Sequence, residues 1–474
     1  MRALIVLAAL VFATPGLAAP SVTTDQGPLA GATVNAIDVY KNIPYAAPPV
    51  GELRWQAPQP GPHWSTPRDA AAFGPACPQN VTEGLMARAN LPQSEDCLSL
   101  NVWTPGGKKL PVMLWIHGGG FTQGAAAVSR FDGAQLAHRG VVIVTFNYRL
   151  GRLGFFPHPA LADANFGLLD QIAALQWVKR NIAAFGGDPD NVTIFGESAG
   201  GESVDMLMTS PLAKGLFAKA ISESGGIFEP TPALADAHKG ALAFADKLKA
   251  KDLTALRAAT TAQILAADDQ DNDGPVIDGK VLLEDPMAAF AAGHQIAIPY
   301  LTGSNSNEGS QIGPNNSDWI AQMLGARLAT VRKLYDTADD MEFRRQVFND
   351  RFFAGATRTL ATAAAAHAPT YVYRFGFLNA LAHLRGETGV PHGGEIAFVF
   401  GFGPLAALAP PQDLAMVDQM QGYWTNFAKT GDPNGAGLPT WPRFEGASPR
   451  TLVIEDTIHA VPDFRKAQMD AVRR

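Results

Sequence analysis

The 474 residues carry 44 acidic and 37 basic side chains, a formal net charge of −7, with 47% hydrophobic and 17% charged residues. That balance excludes a disordered chain, since ample apolar surface can be buried, and it leaves no basic footprint for a nucleic acid. Length alone allows about three domains, but large α/β enzymes often run as one. No internal repeat or low-complexity linker divides this chain, so residues 20–474 are expected to form a single domain.

Residues 1–19 read as a secretory signal peptide. Arg2 precedes the apolar run Ala3 to Phe12, and Gly16-Leu17-Ala18-Ala19 supplies small residues for cleavage. The run is too short to span a bilayer and no later stretch is long enough. No cysteine follows it, which argues against a lipid-modified N-terminus. The expectation is an exported, periplasmic or extracellular protein without a membrane anchor, its net charge moving from −7 to −8 as Arg2 is lost. Sequons at Asn80, Asn191 and Asn315 add little in a bacterial host, and Asn191 abuts a buried strand.

Pro111-Val112-Met113-Leu114-Trp115-Ile116 reads as a buried strand. His117-Gly118-Gly119-Gly120-Phe121 follows at once, and consecutive glycines let backbone approach a substrate closely. The segment lacks the spacing and lysine of a phosphate-binding loop, which excludes nucleotide binding by that route. Asn191 to Phe195 is a second buried strand, followed by Gly196-Glu197-Ser198-Ala199-Gly200 and a helical run from Glu202 to Met208. A strand that turns sharply into a helix leaves a strained serine with its hydroxyl exposed. The helix N-terminus there favours developing negative charge. The N–H groups of Gly119, Gly120 and Ala199 are the expected oxyanion donors.

Two Ala-rich stretches, 231–267 and 320–366, alternate apolar and charged residues at helical spacing. They read as excursions that rim a pocket or pack against the sheet. Asp269 to Gly274 fits the first half of a calcium loop, but its twelfth position is Lys280 rather than glutamate, so a solvated acidic loop is favoured. Ile296 to Leu301 reads as a strand ending in Gly303-Ser304-Asn305-Ser306-Asn307-Glu308-Gly309. A carboxylate at a strand's C-terminal end is placed to orient a catalytic base. Glu308 is therefore preferred to Asp278 and Glu284. Of the six histidines beyond Ser198, only His392 lies in a glycine-flanked loop after a strand, Thr370 to Phe375. His238, His367 and His383 sit in helical stretches, while His294 and His459 lack that context.

The order Ser198, Glu308, His392 is that of the α/β-hydrolase fold. It supplies a nucleophile, an acid and a base for acyl transfer with no cofactor and no metal. The same triad would serve amides, thioesters or lactones, and a noncatalytic binder on this fold is the remaining rival.

Further segments carry a family resemblance. They are Ile43 to Pro49, Arg54-Trp55, Ser94-Glu95-Asp96-Cys97-Leu98 with Ser99 to Trp103, Asn147-Tyr148-Arg149, Gly186 to Pro189, Pro275 to Gly279 and Gly431 to Asn434. From about Gly31 to Phe444 the sequence resembles the type-B carboxylesterase/cholinesterase family. The resemblance implies an α/β-hydrolase fold with a large, mostly parallel sheet flanked by helices. It implies Ser198, Glu308 and His392 as triad, Gly119, Gly120 and Ala199 as oxyanion hole, support from Glu197 and Ser224, and an Arg54–Glu95 salt bridge. Cys77 and Cys97, the only cysteines, lie 20 apart. In an exported protein they suggest one disulfide, and the family pairs cysteines at these positions. Choline-ester hydrolases of the family carry a tryptophan before the Ser-Glu-Asp-Cys-Leu segment. Here no aromatic residue lies between Cys77 and Cys97, so that loop cannot build a cation–π cage. The reading is a serine carboxylesterase acting on small-molecule esters. Phe121 and Phe228 are expected to line its pocket. Oligomeric state leaves no trace in the sequence.

Overall fold

The computed structural model describes residues 19–81, 89–226, 230–268 and 274–473. Eleven strands among them join in one sheet. From one edge its order is Ile458–Pro462, Arg450–Ile454, Thr370–Phe375, Tyr300–Asn305, Lys219–Glu223, Gly187–Glu197, Leu110–Ile116, Val142–Phe146, Ser99–Thr104, Ile37–Pro44 and Ala32–Val34. The seven strands from Arg450–Ile454 to Val142–Phe146 are mutually parallel, and the outer pairings are antiparallel. A separate three-stranded sheet is formed by Ser21–Thr23, Pro28–Ala30 and Arg68–Asp69.

Side-chain alternation explains why the central strands are apolar throughout. Val112, Leu114 and Ile116 point into one core, with Ile194 and the helix Phe166–Asn181. Met113 and Trp115 point into the other, with Phe195, Ile221 and the helix Pro411–Thr430. A strand covered on both faces has no polar side, as parallel sheets require.

The stretch 231–267 is helical over Leu234–Lys247, Leu253–Ala258 and Thr261–Ala267, and packs with Trp55 and Phe156 in a cluster of its own. Helices within 320–366 bury Ile320, Phe343 and Val347 in another.

One boundary differs from expectation. The strand begins at Tyr300, not Ile296. Pro299 has no N–H for a ladder, and Ile298 donates instead to the Ile296 carbonyl at 3.0 Å. The parallel strands all end at one edge of the sheet, where Gly118, Ser198, Ser224 and the Glu308 loop emerge.

Candidate active site

Ser198 occupies the turn between the strand Gly187–Glu197 and the helix Ala199–Thr209, at φ 57° and ψ −128°. A non-glycine residue there costs on the order of 1–3 kcal/mol. The turn is held by the Ser198 N–H donating to Glu223 O at 3.0 Å and the Glu202 N–H donating to Ser198 O at 2.8 Å. Its flanks admit no side chain: a Cβ on Gly200 would stand 2.0 Å from the Ile116 carbonyl. The half-buried serine faces a cavity of about 670 Å³, shared with Gly119, Gly120, Phe121, Glu202 and His392. Among the described residues its hydroxyl has no hydrogen-bond partner.

His392 and Glu308 meet in that cavity wall. His392 Nδ1 is 2.6 Å from Glu308 Oε2, and the Glu308 side chain is fully buried. The other carboxylate oxygen accepts from Ser224 Oγ at 2.5 Å and from the Asn305 N–H at 2.6 Å. The Glu308 N–H donates to Asn349 Oδ1 at 3.2 Å. The two loops are clipped together by Asn307 N–H donating to Val390 O at 2.9 Å and Val390 N–H donating to Ser306 Oγ at 2.8 Å.

On its other side, His392 Nε2 lies 3.2 Å from Glu197 Oε1. Burial lowers the His392 pKa, but the Glu197 carboxylate, followed by Glu308, overrides it and raises the value to about 10. Glu197 is itself pushed up, by burial first and by Glu308, against His392 and Arg130. Two more buried carboxyls stand behind. Glu395 rises to about 8 through burial and then Glu197, and accepts from Asn305 Nδ2. Glu223 is raised by burial and then Glu395, and accepts from Trp424 Nε1 at 2.9 Å. Carboxyls this close share protons rather than all ionising.

The glycine loop turns through Gly119 (φ 112°) and Gly120 (φ 60°). The N–H groups of Gly119, Gly120 and Ala199 donate to no acceptor among the described residues. Gln79 clamps the loop from outside, accepting from the Gly124 N–H and donating to the Gly124 carbonyl, both at 2.9 Å. Its Nε2 also reaches Cys77 O at 2.9 Å. His117 is buried and stacked on Tyr148 with ring centroids 4.4 Å apart. Burial lowers its pKa to about 4, so it is a neutral packing element.

Gln79, Asn349, Glu223 and Glu395 were not signalled by sequence. They carry no local motif and reach the site across long separations. Phe353, 5.1 Å from the His392 ring, is a further such contact. It and Asn349 bring the second helical stretch to the site, although neither stretch contributes to the lining of the 670 Å³ cavity.

The weaker candidates lie elsewhere. Asp278 accepts from the Lys280, Val281 and Leu282 N–H groups within its own turn. Glu284 pairs with the exposed His294 at 2.5 Å. His367, His383 and His459 are exposed, and His238 is half-buried in its helix. Phe228 and the acidic loop 269–273 fall outside the described residues.

Cys77 and Cys97 form a disulfide, S–S 2.01 Å. Arg54 grips Glu95 through both nitrogens of a fork, at 2.6 and 2.8 Å. Among the described residues no helix is long and apolar enough to cross a membrane, and no group of His, Cys, Asp or Glu is arranged to hold a metal.

Comparison with known proteins agrees with this architecture. Residues 18–324 and 329–472 match the Carboxylesterase family. The chain is 38% identical to the para-nitrobenzyl esterase of Bacillus subtilis, over 94% of this chain and 97% of that protein. It is 36% identical to the fumonisin B1 esterase of Sphingopyxis macrogoltabida, over 86% and 82% respectively. The solved carboxylesterase of Geobacillus stearothermophilus superposes with a TM-score of 0.84 at 34% identity, covering 96% of this chain and 100% of that one. The fold is that of the α/β-hydrolases, and the chain belongs to the carboxylesterase family as a serine-type carboxylic ester hydrolase.

Proposed function

We propose that Ser198, Glu308 and His392 are the catalytic triad, with the N–H groups of Gly119, Gly120 and Ala199 as the oxyanion hole. The observation that carries this reading is the 2.6 Å contact between His392 Nδ1 and a fully buried Glu308, in the cavity that the strained Ser198 faces. Ser198 attacks the ester carbonyl as His392 takes its proton, and the three N–H groups receive the charge on the tetrahedral oxygen. His392 returns the proton to the leaving alcohol. Water repeats the sequence to release the acid.

Glu308 fixes the imidazole tautomer, and Ser224 fixes Glu308. Glu197 stabilises the imidazolium from the Nε2 side. In the free enzyme Nε2 faces Glu197 rather than the Ser198 hydroxyl, and bound substrate completes the Ser198 contact. The reading further takes residues 20–474 as one domain, exported after removal of residues 1–19. An intramolecular disulfide supports an oxidising compartment.

The test is hydrolysis of p-nitrophenyl acetate, butyrate and octanoate by the mature protein beside Ser198→Ala, with fluorophosphonate labelling of both. Loss of turnover by about 10⁴-fold or more and loss of label are expected in the variant. Unchanged turnover or labelling would remove Ser198 from the mechanism. Matched thioester and amide substrates then establish how narrowly the site is confined to esters.

A further inference from the structure

A second cavity, separate from the one that holds Ser198, has a volume of about 170 Å³, many times the room one water needs. Every side chain lining it is polar or charged. Three are guanidinium groups, from Arg345, Arg374 and Arg465, and one is a carboxylate, Glu342. Arg374 is already paired with Glu455 at 2.7 Å, and Arg465 with Asp350 at 2.6 Å. Arg345 has no ion pair among the described residues. Its Nε reaches only the Ile312 carbonyl, at 3.5 Å. Glu342 accepts from Gln346 Nε2 at 2.9 Å.

Arg374 and Arg465 each have a carboxylate partner, whereas Arg345 has none among the described residues, so the pocket keeps one guanidinium whose terminal N–H donors are free to meet an added oxyanion. Guanidinium forks match tetrahedral and planar oxyanions through paired N–H donors. The lining side chains of Arg465 and Arg374 are 26% and 22% exposed, so the pocket is reached without unfolding. Its walls include Ser306 and Asn307, directly before Glu308, and Thr388, four residues before His392.

We propose that this cavity binds a small, multiply charged oxyanion of the phosphate or sulfate class, behind the clipped loops that carry Glu308 and His392. An anion there draws Arg345 toward Arg374 and Arg465 and stiffens the Asn307–Val390 clip.

The test is calorimetric titration and thermal unfolding of the mature protein with inorganic phosphate, against sodium chloride of equal ionic strength. The expected result is saturable heat and a rise in melting temperature specific to phosphate, since a ligand bound only to the folded state stabilises it. Arg345→Gln, which breaks no ion pair, is expected to weaken binding at least tenfold with little change in its melting temperature without phosphate. Thr388→Glu, which sets a second carboxylate at the exposed wall, is expected to do the same. Absence of a phosphate-specific signal would overturn the proposal, as would equal affinity in wild type and both variants. Because binding is read without ester turnover, the outcome is independent of the triad assignment.

Discussion

His392 stands between two carboxylates: Nε2 is 3.2 Å from Glu197, the neighbour of Ser198 in the chain, and Nδ1 is 2.6 Å from Glu308. Both hold the imidazole in its charged form. In the proposed triad Glu308 lies on the side away from the reacting proton and orients the ring. In that reading Glu197 lies on the side from which the proton is exchanged with Ser198, and it stabilises the intermediate while opposing the base form of the free enzyme.

The pH profile follows from that opposition. As the proposed base His392 must be neutral, and its pKa is raised, so activity is expected to fall as pH drops through a value above the ordinary 6.5. Glu197→Gln removes the charge that raises the His392 pKa most. The acid limb of kcat/KM is expected to move down by about one unit or more, with a lower kcat because the imidazolium loses support. A limb that stays put or moves up would show that Glu197 does not set the His392 proton affinity.

Glu308→Gln keeps the shape of the buried side chain but removes its charge. It also presents an amide where Nδ1–H needs an acceptor. A loss in kcat of roughly 10³–10⁴-fold is expected, with KM little changed. Ser224→Ala leaves the carboxylate but frees one oxygen from its 2.5 Å hydrogen bond, and is expected to cost about tenfold or less. Steady-state kinetics on one p-nitrophenyl ester compares the two, and the reverse ranking would count against Glu308 as the orienting acid.

The glycine loop gives a contrast within two residues. A Cβ on Gly119 would sit 2.1 Å from the Gln123 carbonyl, whereas one on Gly120 would meet nothing closer than 3.9 Å. Gly119→Ala must therefore displace the loop and its donors. A misplaced donor costs about 3 kcal/mol, or roughly 10²-fold in kcat. Gly120→Ala is expected to stay within about tenfold, since its φ of 60° is strained but its space is open. Equal effects would argue that the loop's position does not govern turnover.

The disulfide is a stability element with a route to the site. Cys77 and Cys97 lie 20 apart, and removing their link is expected to cost about 3 kcal/mol in the chain-entropy treatment. Urea unfolding of the Cys77→Ser/Cys97→Ser double variant measures it. Cys77 O accepts from Gln79, which clamps Gly124. The same variant is therefore expected to lose kcat before it unfolds, and full turnover at lower midpoint would confine the disulfide to stability alone.

How far the site could be read from sequence depended on how local each signal was. Thr370–Phe375 was legible to the residue because five of its six side chains are aromatic or β-branched and stand beside a helix and a loop. The turn at Ser198 was legible because close backbone approach dictates glycine at fixed offsets. The start of the strand at Tyr300 was not, because Ile296 and Ile298 imitate strand alternation while Pro299 forbids the ladder. Gln79, 45 residues from Gly124, and Asn349, 41 residues from Glu308, act through tertiary contacts that no spacing announces. The carboxyls of Glu223 and Glu395 look like ordinary surface acids in sequence. Only the sheet's edge brings them together.

The backbone at Ser198 also sets a tension between durability and chemistry. Glycine adopts φ 57°, ψ −128° without the strain that serine bears there. A Ser198→Gly protein would be inert yet harder to unfold, by about 1 kcal/mol. Laboratory evolution for heat resistance alone would thus reward loss of the proposed nucleophile, and any such selection has to demand turnover in every round.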